Sequence, residues 1–207
     1  MSIADQIVAL GDSFFSRSLT FGRTGNLSAV DDDGTILMTP TGISLGQLDA
    51  EALSRVSIDG QHLHGPQPTK EAFLHLAMYR ARPETRAVVH THSTHSVAVS
   101  CLRDVDHDNA IPALTAYYAM RVGALPVLPY HAPGDDRLGP VAEKMATDHH
   151  ALLLANHGPI VAGTDLASAA DALEELEETA KLHLLLHGHR TAPVADAEVT
   201  RLKEKYR

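Results

Sequence analysis

Hairpin signals recur along this chain, and they constrain its fold more than any other feature. Residues 31–34 (Asp-Asp-Asp-Gly) separate two short apolar segments, 28–30 and 35–38. A second pair of apolar segments flanks Asn-His-Gly-Pro at residues 156–159. Turn residues between two apolar runs are typical of antiparallel hairpins, whereas clean strand–helix–strand units do not recur. The sequence therefore predicts an α/β domain with a mainly antiparallel sheet.

Amphipathic helices account for much of the remaining chain. Apolar spacing predicts helices over residues 3–17 and 71–81, and a long one that follows Asp165. A chain of 207 residues can bury about 70% of its unfolded surface as one domain. Without an internal repeat or linker, we expect a single domain over residues 1–207. Its core covers about 3–187, and residues 192–207 form a charged C-terminal tail.

Composition excludes several function classes. The net charge is −9, and aromatic residues make up 4% of the chain, which argues against nucleic-acid binding. The sequence contains no run of the ~18–20 apolar residues that a membrane helix needs, and the N-terminus lacks a signal-peptide pattern. A single cysteine, Cys101, rules out an internal disulfide. We therefore expect a cytoplasmic protein with no membrane partner.

The first candidate functional residues lie in segment 86–95, Arg-Ala-Val-Val-His-Thr-His-Ser-Thr-His. Residues 87–89 predict a buried strand. If the strand continues, His90 and His92 share one face, because strand side chains alternate with period two. Two imidazoles on one face could form half of a metal site. They could also be surface residues, because the chain contains 14 histidines.

Two turn-rich segments offer donors to an anion. Thr41 and Gly42 lie in a tight turn, and Thr69 is a predicted N-cap, with Lys70 and Glu71 in the first helical turn. A helix N-terminus attracts phosphate groups, although the same residues can simply form turns. The carboxylate of Glu71 could complement the helix dipole, move protons or bind a metal.

A metal site can be assembled from these segments and one further histidine. His157 follows a predicted strand, so three imidazoles and Glu71 are available as ligands. Such a set suits Zn²⁺. A metal held there can polarise a carbonyl and stabilise an enediolate while a nearby carboxylate moves the proton.

Five motifs occur in an order that resembles the class II aldolase/adducin family. They are Gly-Asn-Leu-Ser (25–28), Thr-Pro-Thr-Gly (39–42), Pro-Thr-Lys-Glu (68–71), His-Thr-His-Ser (90–93) and Leu-Ala-Asn-His-Gly (154–158). The resemblance covers residues 3–187. It is strongest to the 3-oxo-tetronate 4-phosphate decarboxylase branch, through residues 69–75, 116–123 and 174–182.

The resemblance implies an α/β/α sandwich around a mainly antiparallel sheet, and a homotetramer with active sites at subunit contacts. It assigns one Zn²⁺, or another divalent metal, to each subunit. The metal ligands it implies are Glu71, His90, His92 and His157, with Glu71 also the proton acceptor. The phosphate-site positions are Asn26, Thr41, Gly42, Thr69 and Lys70. Family aldolases usually carry two small hydroxyl residues before the glutamate, where this chain has Thr69 and Lys70.

The same resemblance implies a tyrosine as proton donor. Tyr117 is our choice, and Tyr118 is the alternative. His62, His64 and His75 are expected at the surface or behind the metal ligands. Arg121 could meet a substrate carboxylate, but a structural salt bridge is the favoured interpretation.

The resemblance implies a metal-dependent lyase that decarboxylates a 3-oxo-tetronate 4-phosphate to dihydroxyacetone phosphate and CO2. Zinc would stabilise the enediolate left by CO2 loss. One alternative is a class II aldolase or epimerase acting on a fuculose- or ribulose-type ketose phosphate, because retro-aldol cleavage produces the same enediolate. A more remote alternative is a non-catalytic adducin-like binding module, which need not retain metal ligands.

Overall fold

The computed structural model describes residues 1–205. In chain order the elements are α1 Ile3–Ser16, β1 Asn26–Val30, β2 Ile36–Met38, 3₁₀ turns Leu45–Gln47 and Ala50–Ala52, β3 Ser54–Val56, β4 His62–His64, α2 Ala72–Ala81, β5 Ala87–His90, α3 Thr94–Ser100, α4 Ala116–Arg121, β6 Val127–Leu128, α5 Leu138–Ala146, β7 Ala151–Leu154, β8 Gly158–Gly163, α6 Leu166–Leu185 and α7 Asp196–Lys205.

Within the described residues, eight strands form one sheet in the order β4-β3-β2-β1-β5-β8-β7-β6. All neighbouring strands pair antiparallel except β6 and β7, which pair parallel. Both predicted hairpins form, as β1–β2 and β7–β8. The prediction of a mainly antiparallel sheet is therefore confirmed, with one parallel pair at its edge.

Helices cover both faces of the sheet. On one face, α1, α3, α4 and α6 contribute buried side chains such as Phe14, Val99 and Leu173 to one apolar cluster. On the other, α2 and α5 contribute Leu74, Met78 and Ala142 to a second. Alternate residues of the central strands supply both clusters, as the period of a strand requires. This is the predicted α/β/α arrangement. Among the helices within residues 1–205, none combines the length and apolar character needed to cross a membrane.

Several local predictions were wrong. Helix α2 begins at Ala72, with Glu71 rather than Thr69 at the N-cap. Pro68 instead bridges Pro40, the Thr69 amide donates to the Thr39 carbonyl, and residues 70–71 form a turn that leads into the helix. The run Val-Ser-Ile at residues 56–58 predicts a strand, but β3 covers Ser54–Val56 instead, and β4 was not predicted.

Candidate metal centre

The candidate site lies at the ends of three central strands, on one side of the sheet. Strand β1 begins at Asn26, β5 ends at His90 and β8 begins at Gly158. Because β5 is antiparallel to both neighbours, these ends lie together, and Asn26 pairs directly with His90. The strand does not continue to His92 as the alternation argument assumed. The two imidazoles nonetheless converge, with ring centroids 5.1 Å apart.

A tight turn between β7 and β8 positions His157. Asn156 adopts a left-handed conformation with φ 55°, which asparagine tolerates better than most residues. At Gly158 (φ 153°) a Cβ atom would lie 2.3 Å from the Thr91 carbonyl oxygen. Only glycine allows this close approach, which brings the turn against the loop that carries His92.

Four side chains form the cluster. One ligand atom from each of Glu71, His90, His92 and His157 lies within 4.8 Å of the others. The Nε2 atom of His157 lies 3.0 Å from that of His92 and 3.1 Å from Oε1 of Glu71. The Nε2 atom of His90 lies 3.3 Å from Oε2 of Glu71. Glu71 is 8% exposed and His90 is fully buried.

The protonation pattern of His90 fits a metal ligand. Its Nδ1 lies 2.7 Å from the Pro159 carbonyl oxygen, which can only accept, so Nδ1 carries the proton. Its Nε2 atom is buried and, among the described residues, has no hydrogen-bond partner. An imidazole held by a carbonyl, with its other nitrogen aimed at a carboxylate and two more imidazoles, is typical of metal sites. The cluster could therefore hold a divalent metal ion.

The electrostatics of the cluster couple Glu71 to His90. Burial opposes protonation of His90, but the nearby Glu71 carboxylate outweighs it and raises the pKa of His90. Burial opposes ionisation of Glu71, but the imidazoles of His90 and His157 outweigh it and hold the pKa of Glu71 below its usual range. Burial, reinforced by its two neighbouring histidines, lowers the pKa of His92 to about 3. An ionised carboxylate and a neutral imidazole are the forms that bind metal.

A cavity of about 180 Å³ opens beside the cluster. The predicted phosphate-site residues all line it: Asn26, Thr41, Gly42, Thr69 and Lys70. Arg23, which the sequence analysis did not select, lines it as well. The two turns are held together because the Thr41 amide donates to the Gln67 carbonyl at 3.0 Å. Gly42 has φ 77°, a conformation that favours glycine.

A second cavity of about 380 Å³ lies on another side of the cluster. His92 and His157 line both cavities, so the candidate metal position lies between them. Apart from these, the second cavity is lined mainly by Phe21, Thr94, Val97, Tyr130, His131 and Pro133. It is therefore more apolar than the first, and its additional ionisable groups are Tyr130 and His131.

The predicted proton donor is not at the cluster. Tyr117 is 60% exposed on α4, 5.5 Å beneath the guanidinium of Arg121. Arg121 lines a cavity beside Gly163, at the end of β8 opposite to Gly158. The six residues of β8 span roughly 17 Å, so Tyr117 does not reach the cluster of its own chain.

Tyr118 and Arg121 also lie away from the cluster. Tyr118 is fully buried in the apolar core. Arg121 forms a salt bridge of 3.2 Å with Asp171, which agrees with the structural interpretation.

Some residues that support the cluster were missed or left open by sequence reasoning. His62 and His64 are exposed on β4, but His75 is fully buried behind Glu71. Its spacing of four residues from Glu71, one helical turn, is a signal that could have identified it. Glu177 on α6 was missed because its partners, His95 and Ser96, are more than 80 positions away.

Comparison with known proteins agrees with this geometry. Residues 5–184 match the family model described as the class II aldolase and adducin N-terminal domain. A protein of Pectobacterium atrosepticum named 3-oxo-tetronate 4-phosphate decarboxylase is 54% identical over 181 residues, covering 87% of this chain and 83% of that protein. A protein of the same name from Haemophilus influenzae is 48% identical over 199 residues, covering 96% and 95%.

A solved structure shows the same fold. YgbL from Escherichia coli superposes with a TM-score of 0.94 at 44% identity, over 97% of each chain. Aldolase, epimerase and decarboxylase are named as alternatives for that protein.

Proposed function

This chain belongs to the class II aldolase and adducin family, and we propose that it decarboxylates a 3-oxo-tetronate 4-phosphate to dihydroxyacetone phosphate and CO2. One observation carries the proposal. The cluster of Glu71, His90, His92 and His157 lies between a cavity rich in hydroxyl and cationic groups and a more apolar cavity. A short substrate with a phosphate at one end and a carboxylate at the other suits this arrangement.

The phosphate end belongs in the first cavity. Thr41 and Thr69 contribute hydroxyl groups, and Lys70 and Arg23 contribute positive charge in a chain whose net charge is −9. Backbone N–H groups of the turn at Gly42 can add further donors. We propose Asn26, Thr41, Gly42, Thr69 and Lys70 as the phosphate-binding residues.

We propose Zn²⁺ as the metal, held by the three imidazoles and Glu71. Nitrogen-rich sets with one carboxylate suit zinc. When bound, the metal supplies a Lewis acid that polarises the C3 ketone and stabilises the negative charge left by CO2 loss.

The chain's own residues carry the proton. The C1–C2 bond breaks and CO2 leaves. The electron pair of the broken bond stays on C2 and forms the enediolate between C2 and C3. C2 must then gain one proton to give dihydroxyacetone phosphate. Oε1 of Glu71 lies 3.1 Å from His157, in the cluster where substrate would bind. We propose that Glu71, ionised at rest, accepts a proton from solvent or from the tyrosine described below and delivers it to C2.

Tyr117 enters this scheme only from a neighbouring subunit, because it lies at the far end of β8 in its own chain. We therefore propose a homo-oligomer, a tetramer by family resemblance, in which Tyr117 of one chain acts as acid at the site of another. If so, mixing inactive Tyr117→Phe and Glu71→Gln chains should recover activity. No recovery from mixed oligomers would remove Tyr117 from this role. A cytoplasmic location is proposed because a doubly charged phosphate ester does not cross membranes unaided.

The main rival is an aldolase or epimerase reaction. It passes through the same enediolate, but its ketose phosphate substrate has no carboxylate that would occupy the second cavity. The more apolar second cavity favours decarboxylation, because removing a carboxylate from water promotes loss of its charge. A purely binding module is disfavoured, because such a module has no need of three converging imidazoles.

Product analysis separates these possibilities. Purified protein loaded with zinc is incubated with 3-oxo-tetronate 4-phosphate or with fuculose and ribulose phosphates. We expect CO2 and dihydroxyacetone phosphate in equal amounts from the first substrate, and no aldehyde from the others. Aldehyde or an epimer from a ketose phosphate, without CO2 from the acid, would favour the rival.

A further inference from the structure

A chain of buried hydrogen bonds runs from Glu71 into the protein interior. The Nδ2 atom of Asn26 donates to Oε2 of Glu71 at 2.9 Å, and Oδ1 of Asn26 lies 2.5 Å from Nε2 of His75. The Nδ1 atom of His75 lies 2.7 Å from Oγ of Ser28, which lies 2.8 Å from the hydroxyl of Tyr79. These side chains come from β1 and α2, and none is more than 8% exposed.

With Glu71 ionised, only one assignment of donors and acceptors satisfies every hydrogen bond in this series. Because Nδ2 of Asn26 donates to the carboxylate, its Oδ1 faces His75 and must accept. Nε2 of His75 therefore carries the proton, and Nδ1 accepts from the hydroxyl of Ser28. The oxygen of Ser28 is then free to accept from Tyr79. Each group fixes the orientation of the next.

The amide of Asn26 is the vulnerable link. Rotated by 180°, it would place its carbonyl oxygen against Oε2 of Glu71, two acceptors in contact. Rotation would also place its NH2 group against the N–H of His75, two donors in contact. With its proton on Nε2, the imidazole therefore opposes rotation of the amide without touching Glu71, in addition to the clash with the carboxylate.

We propose that His75 is a positioning residue, which holds Asn26 so that its amide restrains Oε2 of Glu71 while Oε1 faces His157 and the substrate. The inference rests on the proposed function, because it concerns the carboxylate that moves the proton. A residue that only filled space in the core would be replaceable by any side chain of similar volume. His75 instead must supply one N–H at one place.

Two substitutions separate these roles. His75→Gln retains a side-chain N–H2 that can reach Oδ1 of Asn26, whereas His75→Leu fills similar space with no donor. Loss of a hydrogen bond that orients a metal ligand commonly lowers activity or metal affinity about 10–100-fold. We expect kcat to fall by about that factor in His75→Leu with KM within about twofold. His75→Gln should retain at least about a third of wild-type kcat. His62→Leu, on exposed β4, is the matched control and should not change kcat.

A second readout needs no substrate. Each variant is loaded with Co²⁺ and its visible absorption spectrum is recorded, because the spectrum depends on how Glu71 and the imidazoles are arranged around the ion. We expect an altered spectrum for His75→Leu and a wild-type spectrum for His75→Gln and His62→Leu. If wild-type protein binds Co²⁺ but releases no CO2, the proposed function fails while the spectra still decide the role of His75.

The opposite results would overturn the proposal. Wild-type kcat and spectrum in folded His75→Leu would show that the imidazole only fills space, and equal losses in the Gln and Leu variants would show that its N–H is not what matters. If His75→Leu does not fold, Ser28→Ala replaces it as the test. That change removes the donor to Nδ1, so the imidazole proton is no longer confined to Nε2. We then expect kcat to fall several-fold at unchanged KM, and an unchanged kcat would contradict the proposal.

Discussion

Glu71 and Glu177 are both buried carboxylates, 8% and 9% exposed, but their surroundings differ in kind. Glu177 accepts four hydrogen bonds at 2.6–2.9 Å, from the backbone N–H and side chains of His95 and Ser96, and so caps the first turn of α3. Glu71 accepts one from the amide of Asn26, and its other near neighbours are the imidazoles of His90 and His157. Glu177 is surrounded by hydrogen-bond donors, while the oxygens of Glu71 face the imidazoles of His90 and His157, the other potential metal ligands.

The contrast shows how burial alone fails to identify a functional carboxylate. A buried charge must be paired or hydrogen-bonded, and Glu177 meets that need within the protein. Glu71 meets it only in part, and the remaining compensation is what a divalent ion would supply. The hydrogen-bond partners of a buried carboxylate, rather than its exposed fraction, therefore distinguish a structural group from a functional one.

The largest expected effect is on catalysis at Glu71. Glu71→Gln retains an oxygen that can accept from Asn26, but it loses the negative charge and the ability to take up a proton. Acid–base groups typically contribute about 10²–10⁴-fold, so we expect kcat for CO2 release to fall by about that range. The melting temperature should change little. A variant with near-normal kcat would mean that Glu71 does not move the proton.

The corresponding change at Glu177 should act on stability instead. Glu177→Gln places an NH2 group against the N–H groups of α3, and we expect the free energy of unfolding to fall by about 2 kcal/mol. For a chain of this size that lowers the melting temperature by roughly 4–8 °C. Activity per folded molecule should stay within about threefold. Loss of activity equal to that of Glu71→Gln, at unchanged stability, would break the distinction.

The network behind Glu71 predicts a pH effect on metal-free protein. Burial lowers the pKa of His75 from 6.5 to about 3. Between these values the unfolded chain binds a proton that the folded one excludes, so stability falls as pH drops below 6.5. From pH 7 to pH 5 this amounts to about 2 kcal/mol. The glutamine of His75→Gln cannot titrate. Measured by urea unfolding, the free energy of unfolding of this variant should therefore fall by about 2 kcal/mol less than that of the wild type between pH 7 and pH 5. Equal losses in both proteins would contradict neutral burial of His75.

The smallest effect belongs to an exposed carboxylate on the same helix as Glu177. Glu174 forms an ion pair with Arg17, and their side chains are 35% and 47% exposed. Surface pairs contribute about 0–1 kcal/mol, so Glu174→Gln should change the free energy of unfolding by less than about 1 kcal/mol. Chemical unfolding of this variant is the matched control for Glu177→Gln. A loss as large as that of Glu177→Gln would show that the comparison measures charge on α6 rather than hydrogen bonding.

Local sequence patterns predicted the framework of the fold. The turn residues at 31–34 and 156–159 gave both hairpins, and Asp165 does form a capping box at the start of α6. The parallel pairing of β6 with β7 was not predicted, because it depends on how distant segments pack. Strand β4 was missed because all three of its residues are exposed and it has no apolar alternation.

Prediction at the site divides in the same way. The four cluster residues were reached through motifs combined with a family resemblance, and the structure brings them together. The hydrogen bonds that support them were not predicted, although His75 was expected either at the surface or behind the metal ligands. Asn26 contacts residues 45 and 49 positions away, and Glu177 contacts residues more than 80 positions away. Hydrogen bonds over such separations leave no local pattern in the sequence, so only the folded chain reveals them.

The most direct test of the central claim is metal-dependent CO2 release by the wild-type protein. Metal content is measured before and after dialysis against a chelator, and CO2 from 3-oxo-tetronate 4-phosphate is followed at each stage. We predict about one zinc per chain, loss of CO2 release on its removal and recovery when one equivalent of Zn²⁺ is restored. Full CO2 release from folded, metal-free protein would contradict the assignment of Glu71, His90, His92 and His157 as a catalytic metal centre.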